Sequence, residues 1–206
     1  ERGPSHGSYG VQPSHARRLA SFPDEIAVEL LGVLTFMQSG YVREAALRAI
    51  AKTGRSEGLR YVLPRLGDWV PQVRQAAEDA LEGLLERPLA ASVLLEHFRL
   101  IEALRLVRRV DLSEARERIL AFLRTLRGGA SMCDALTSRD AAMRVFAHEV
   151  FLDEVRGSRE RVEALLRDRN PGMRAWFLRK ILAGTIALDE AQYRRALRAQ
   201  SSRFVS

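Results

Sequence analysis

Apolar residues recur with a helical period in four stretches of the chain. Three stretches place them at i, i+3, i+4, i+7 and i+8, which is one face of an α-helix. These stripes run from Val42 to Ile50, from Val73 to Leu81 and from Met143 to Phe151. A fourth holds Met173, Trp176, Phe177 and Ile181, with Lys180 in the apolar phase. The pattern predicts four amphipathic helices, each preceded by a further helical segment; three of those segments are 24–37, 56–66 and 158–167.

A nine-residue motif lies at the start of two of these helices. Leu66–Arg74 and Leu166–Arg174 both read Leu-x-Asp-x-x-Pro-x-x-Arg. Proline is tolerated in the first turn of a helix, and an aspartate just upstream can cap or turn the loop. The predicted unit is therefore a helix, a short loop and a second helix. Two weaker copies exist: Leu136–Arg144 keeps the leucine and the arginine, and the copy ending at Arg43 keeps only its end, with Ser138 and Met37 at the aspartate position.

This motif and the shared apolar phase resemble those of HEAT repeats. The resemblance implies an all-α, right-handed α-solenoid of stacked antiparallel helix pairs, a HEAT- or armadillo-like superhelix. It also implies that the loop aspartates and the arginines form a ladder between adjacent repeats. The ladder positions in this chain are Asp68, Arg74, Asp168, Arg174, Arg43 and Arg144.

The chain is expected to consist of a tail and one array. Residues 1–12 hold Gly, Ser and Pro with few apolar residues, so 1–22 are expected to be a disordered or tail segment. Residues 23–206 are expected to form a single array with an irregular middle repeat at about 87–130. Residues 203–205 resemble the start of the helix near 41, so we expect the natural protein to continue past Ser206.

Composition excludes several classes of protein. The 206 residues include a single cysteine, Cys133, so neither an internal disulfide nor a four-cysteine zinc site can form. No apolar run reaches the ~20 residues of a spanning helix, and no secretory signal opens the chain. No phosphate-binding glycine loop, nucleophile elbow or zinc-binding His-Glu pair is present. We therefore expect a cytoplasmic protein without a cofactor, metal or catalytic residues.

The net charge of +7 lies in the last quarter of the chain. Residues 155–206 hold 12 basic and 5 acidic side chains, whereas the preceding residues are balanced. The candidate partner-binding cations are Arg179, Lys180, Arg194, Arg195 and Arg198. They could meet nucleic acid or an acidic protein, or simply be solvated helix faces. Lys180 is expected either to extend into solvent or to face a buried acid or a ligand.

Three further candidates lie near the first motif. Trp69 stands in the loop and would be an interface anchor if exposed, or would fold back over the adjacent repeat. Glu78 and Glu82 place acidic groups on the helix that follows. Elsewhere, His148 is interpreted as a surface residue and Cys133 as a small core residue.

These features favour a non-catalytic scaffold that binds a protein on the concave surface of the solenoid. A surface that changes sign along its length suits a protein partner of matching charge. The alternative is a nucleic-acid-binding HEAT-like protein, such as a relative of the alkylpurine DNA glycosylases. Membership of a fold does not by itself decide between them.

Overall fold

The computed structural model describes residues 11–125, 130–151 and 159–187, together with residues 190, 191 and 194. Throughout this part of the chain the regular elements are helical, and no strand is found. None of the described helices has the length and apolar character needed to cross a membrane. Contacts divide the chain into two compact units, Glu1–Phe122 and Leu123–Ser206, whereas the sequence suggests a single array over 23–206.

The first unit is built from eight of the described α-helices. Three short 3₁₀ turns, Ser56–Gly58, Leu63–Arg65 and Leu104–Leu106, continue or precede them. The helices are α1 Pro13–Leu19, α2 Asp24–Leu34, α3 Gly40–Thr53, α4 Leu59–Val62, α5 Pro71–Leu85, α6 Ala90–Glu96, α7 Phe98–Ala103 and α8 Ser113–Arg124, whose last two residues fall in the second unit.

Helix α3 lies between α1 and α5 and contacts both. On the other side, α2 packs against α1 and α3, and α4 packs against α5 and α6. Small residues permit this close packing, because Ala46, Ala76 and Ala80 are at most 1% exposed. Leu47 and Leu81 are completely buried beside them, and each such leucine contributes roughly 1.5–3 kcal/mol. The predicted alanine-rich stripes therefore form helix–helix contacts.

Helix α1 corrects one expectation. We expect residues 1–22 to be a tail, but Pro13–Leu19 form a helix whose Ala16 is buried. The sequence reading missed it because two turns are too few for an apolar period to be visible. Contacts with α3 compensate for the poor intrinsic stability of such a short helix.

The second unit contains the remaining four described α-helices. Helix α9 packs on α10, and both α10 and α11 pack on α12. Its core contains Met173, Trp176 and Phe177 from the predicted stripe, joined by Val162 and Leu165. The helices are α9 Ala130–Thr137, α10 Ala141–Val150, α11 Arg159–Leu166 and α12 Pro171–Leu182.

The ends of several helices follow the predicted turn chemistry. Pro71 and Pro171 are the first residues of α5 and α12. Gly54 and Gly184 adopt left-handed φ angles of 64° and 68° after α3 and α12. In the irregular middle segment Leu89 adopts a φ of 66°, which is unfavourable for a residue with a side chain, and α6 begins directly after it.

Candidate protein-interaction surface

A buried ion pair joins the two loops that precede α3 and α5. The Arg43 guanidinium donates from Nε and Nη2 to the two carboxylate oxygens of Asp68, at 2.9 and 2.8 Å. Its Nη1 donates to the backbone carbonyls of Met37 and Gln38, at 2.8 and 2.7 Å. Both charged side chains are only 3% exposed. We call this arrangement the Arg43–Asp68 clamp.

Asp68 organises its own loop as well as binding Arg43. Its carboxylate accepts hydrogen bonds from the Val70 backbone N–H at 3.0 Å and from Arg65 at 3.3 Å. Burial alone would raise the pKa of Asp68, but the hydrogen bonds from Arg43 and Val70 outweigh it and lower the pKa below 3.8. Asp68 thus turns the loop and remains an anion that balances Arg43.

The second unit contains the same arrangement, which we call the Arg144–Asp168 clamp. Arg144 donates from Nε and Nη2 to Asp168 at 3.2 and 3.0 Å, and from Nη1 to the carbonyls of Ser138 and Arg139. Asp168 in turn accepts from the Asn170 backbone N–H at 2.7 Å. This clamp is more open than the first, since both side chains are 16% exposed.

Arg74 and Arg174 are held differently. Nη1 of Arg74 donates to the carbonyls of Asp68 and Trp69, at 2.9 and 3.4 Å. Arg174 makes the same pair of contacts, to the carbonyls of Asp168 and Arg169. Among the described residues, neither arginine has a carboxylate partner. Within each unit, the arginine of one helix pair therefore meets the aspartate of the next, and the last arginine has an open edge.

Trp69 projects from the clamp into solvent rather than folding back. Its side chain is 66% exposed, and the guanidinium carbon of Arg43 lies 5.1 Å from the ring centroid. Phe36, in the loop after α2, is 59% exposed, and the guanidinium carbon of Arg65 lies 4.6 Å from its ring centroid. Cation–π contacts with clamp residues hold both rings against a rigid base. Exposed aromatic rings on a rigid base are typical of interface anchors.

The neighbouring helices α3 and α5 expose opposite charges. Helix α5 exposes Asp79 and Glu82, and Glu86 is exposed directly after it, while the predicted Glu78 is half-buried. Between α1 and α3 lies a groove of about 510 Å³. Its floor is made of alanines, and Arg17, Arg48 and Lys52 supply its charges, with Arg48 paired to Glu44 at 3.0 Å. The exposed surface of these helices therefore changes from basic to acidic over one helix spacing.

The predicted cations of the C-terminal region have different surroundings. Lys180 does not extend freely into solvent, because its Nζ lies 3.3 Å from the half-buried carboxylate of Glu149. Glu149 also accepts from Trp176 Nε1 at 3.1 Å. Arg179 is exposed, and Arg194 pairs with Glu190 at 2.6 Å. Arg195 and Arg198 lie outside the described residues.

The burial of His148 and Cys133 is the reverse of what their sequence interpretation predicts. His148 is only 7% exposed, and Cys133 is exposed. Both line a pocket of about 240 Å³ in the second unit. Local sequence gives no signal for this, because the histidine is covered by residues distant in sequence, among them Arg161 and Trp176. In the described part of the chain, no three His, Cys, Asp or Glu residues are grouped to hold a metal ion.

Burial dominates the chemistry of His148. Burial lowers the pKa of the imidazole most, the positive charges of Arg161 and Arg144 also lower it, and Asp168 partly opposes them, so that the pKa falls to about 4. The ring lies 6.0 Å from that of Trp176, and its Nδ1 has no hydrogen-bond partner among the described residues. The imidazole is therefore neutral at physiological pH.

Comparison with known proteins gives little further information. No protein-family model matches the chain. No curated protein matches it either. One solved structure with a detectable likeness is the crystal structure of an engineered protein, a Northeast Structural Genomics Consortium target. It is 20% identical in sequence, with 91% of this chain and 88% of that chain covered, at a TM-score of 0.40.

Proposed function

We propose that the chain is a HEAT-type α-solenoid that acts as a protein-binding scaffold rather than as an enzyme. The motif supports this proposal, because the arginine of one helix pair binds the aspartate of the next in both units. Contacts of this kind favour regular stacking of helix pairs. Stacked pairs offer an extended concave surface on which a partner can bind.

The observation that carries the proposal is the change of sign on the face of α1, α3 and α5. Asp79 and Glu82 are exposed on α5 and Glu86 directly after it, whereas Lys52 and Arg48 are exposed on α3, with Arg48 paired to Glu44. A partner with acidic and basic patches in the same order would be attracted in one orientation and repelled in the other. Complementary charges of this kind set association rate and specificity more than affinity.

The alternative, binding of nucleic acid, has less support from the described residues. A duplex laid along this face would meet the carboxylates of α5, which repel phosphates. Arg194 and Lys180 are paired with Glu190 and Glu149, which reduces the positive charge they present. We therefore rank a protein partner above a nucleic acid.

A charge-reversal experiment tests the proposal. A binding partner is captured by crosslinking in cells, purified, and its Kd for the chain is measured by calorimetry. We expect Asp79→Lys/Glu82→Lys/Glu86→Lys to weaken binding about tenfold or more, since like charges replace complementary ones. The control Asp24→Lys/Glu96→Lys/Glu114→Lys makes the same change in net charge at other exposed sites and should leave the Kd nearly unchanged.

Two results would count against the scaffold. Equal loss of binding in the two triple variants would show that net charge, not the α5 face, determines affinity. Tight binding of a DNA duplex, measured by fluorescence anisotropy and falling steeply with added salt, would favour the nucleic-acid alternative.

A further inference from the structure

We propose that the open edge of the Arg74 guanidinium, beside the exposed Trp69, binds a carboxylate side chain of the partner protein. This inference rests on the proposed scaffold function and adds the chemistry by which the partner is held. The site consists of the guanidinium fork of Arg74, in the first turn of α5, and the aromatic ring of Trp69, in the loop before it.

The four motif arginines provide an internal comparison. Each fixes its Nη1 on two successive loop carbonyls, those of residues 37–38, 68–69, 138–139 and 168–169. In Arg43 and Arg144 the remaining Nε and Nη2 bind both oxygens of an aspartate. In Arg74 the same anchored guanidinium has no carboxylate among the described residues. The Nε and Nη2 edge of Arg74 is therefore held in position to bind a carboxylate, and no carboxylate among the described residues occupies it.

None of the residues that the structure describes supplies that group. From arginine to aspartate the two clamps span 25 and 24 residues, and the same spacing from Arg74 ends at Arg99 and the buried Phe98. Asp111 lies in the next loop, but its carboxylate accepts from the Ser113 backbone N–H at 2.9 Å. The irregular middle repeat thus breaks the ladder and leaves Arg74 as its last, unfilled position in this unit.

The open edge is accessible and chemically selective. Arg74 is partly exposed, and its Nε and Nη2 have no hydrogen-bond partner among the described residues. A guanidinium fork matches the two oxygens of a carboxylate, and Asp68 and Asp168 show this pairing elsewhere in the same chain. Nη1 of Arg74 donates to the Trp69 carbonyl, and the exposed Trp69 side chain adds apolar area in the adjacent loop. A partner segment with an acidic residue close to an apolar residue fits this site.

Selection from random peptides displayed on phage tests the inference. The full chain is the bait, and the variant Arg74→Gln/Trp69→Ala is used for counter-selection. We expect the enriched peptides to share an Asp or Glu at a fixed spacing from an apolar residue. Replacing that acid by its amide should raise the Kd roughly ten- to a hundredfold, as should Arg74→Gln in the chain, and the two changes together should add little more.

Three controls make the result specific. Arg74→Lys keeps the charge and a donor for the loop carbonyls, and it should still lose most of the affinity if the fork is what binds. Arg174→Gln removes an arginine with the same carbonyl contacts but no adjacent tryptophan, and it should leave the Kd unchanged. Circular dichroism and thermal unfolding confirm that each variant is folded.

The remaining outcomes separate this inference from the scaffold proposal. Peptides without a shared acid, or a Kd unaffected by Arg74→Gln, would overturn the inference. If such peptides respond instead to reversal of the α5 charges, the scaffold proposal stands without it. The absence of any enrichment over the counter-selection variant would also count against the Arg74 site.

Discussion

At the scale of single residues, His148 is the described side chain whose chemistry is altered most by its surroundings. A histidine next to a glutamate in sequence is ordinarily a surface residue, yet this one is buried on α10 with its ring near Trp176 of α12. Its neighbours include two arginines and one aspartate, so its protonated form is unfavourable both through burial and through charge. Protonation of the imidazole is therefore expected to destabilise the second unit.

This requirement predicts a loss of stability in mild acid. The folded-state pKa of about 4 lies below the ordinary 6.5, so below pH 6.5 the unfolded chain takes up a proton that the folded chain does not. Stability is full above pH 6.5 and falls as the pH is lowered toward 4. We expect urea unfolding at pH 4.5 to give a free energy about 2 to 3 kcal/mol lower than at pH 7 from this residue alone.

Replacement of the histidine isolates its contribution. His148→Gln should flatten the dependence of the unfolding free energy between pH 7 and pH 4.5, whereas His97→Gln in the first unit should retain it. Chemical shifts of the imidazole nitrogens provide a direct readout. A His148 resonance that titrates near its ordinary value would contradict the buried, neutral state.

At the scale of elements, sequence patterns predict some helices better than others. Helices α3, α5 and α10 each carry a full apolar stripe and α12 carries one interrupted by Lys180, and a stripe of that length identifies a helix without tertiary information. The stretch 56–66, predicted as one helix, instead contains two 3₁₀ turns around the short α4. Pro64, which has no backbone N–H to donate, lies in the second turn.

The first of these turns makes a close contact that periodicity does not reveal. A Cβ atom at Gly58 would overlap Cγ2 of the fully buried Ile50 on α3. Ser56, two residues earlier, donates a hydrogen bond to the carbonyl of Pro88. The turn is thus fixed from two directions, and only glycine fits between it and α3.

A pair of glycine substitutions tests this packing. Gly58→Ala should lower the free energy of unfolding by about 1–3 kcal/mol, because the added methyl group overpacks the core. Gly83→Ala on α5 should raise it by roughly 0.5–1 kcal/mol, since a methyl group there meets no atom within 4 Å and alanine favours helix. Urea unfolding measures the free energy of unfolding of both variants. Equal changes in that free energy would show that the close contact between Gly58 and Ile50 does not exist.

At the scale of the whole molecule, the candidate site could be predicted only in part. The motif identified Asp68, Arg74 and Trp69 from sequence, because a loop repeated at fixed spacing from two helices is visible without coordinates. The motif did not distinguish Arg43, which binds Asp68, from Arg74, which has no carboxylate partner among the described residues. That difference depends on which loop packs against each arginine. The irregular segment after α5 hides the repeat spacing that would predict that loop.

Each clamp closes within one unit, so the two clamps should stabilise different parts of the chain. Asp68→Asn leaves the Arg43 charge buried without an anion, a change that typically costs about 3–5 kcal/mol. Asp168→Asn should cost less, because its pair is 16% rather than 3% exposed, and solvent can compensate part of the lost charge.

Hydrogen exchange resolved by peptide mass spectrometry measures both effects in the intact chain. We expect Asp68→Asn to accelerate exchange in α3 and α5, and Asp168→Asn to accelerate it in α10 and α12. Faster exchange in all four helices in either variant would show that the units unfold together, and the division of contacts at Phe122 would then have no energetic meaning.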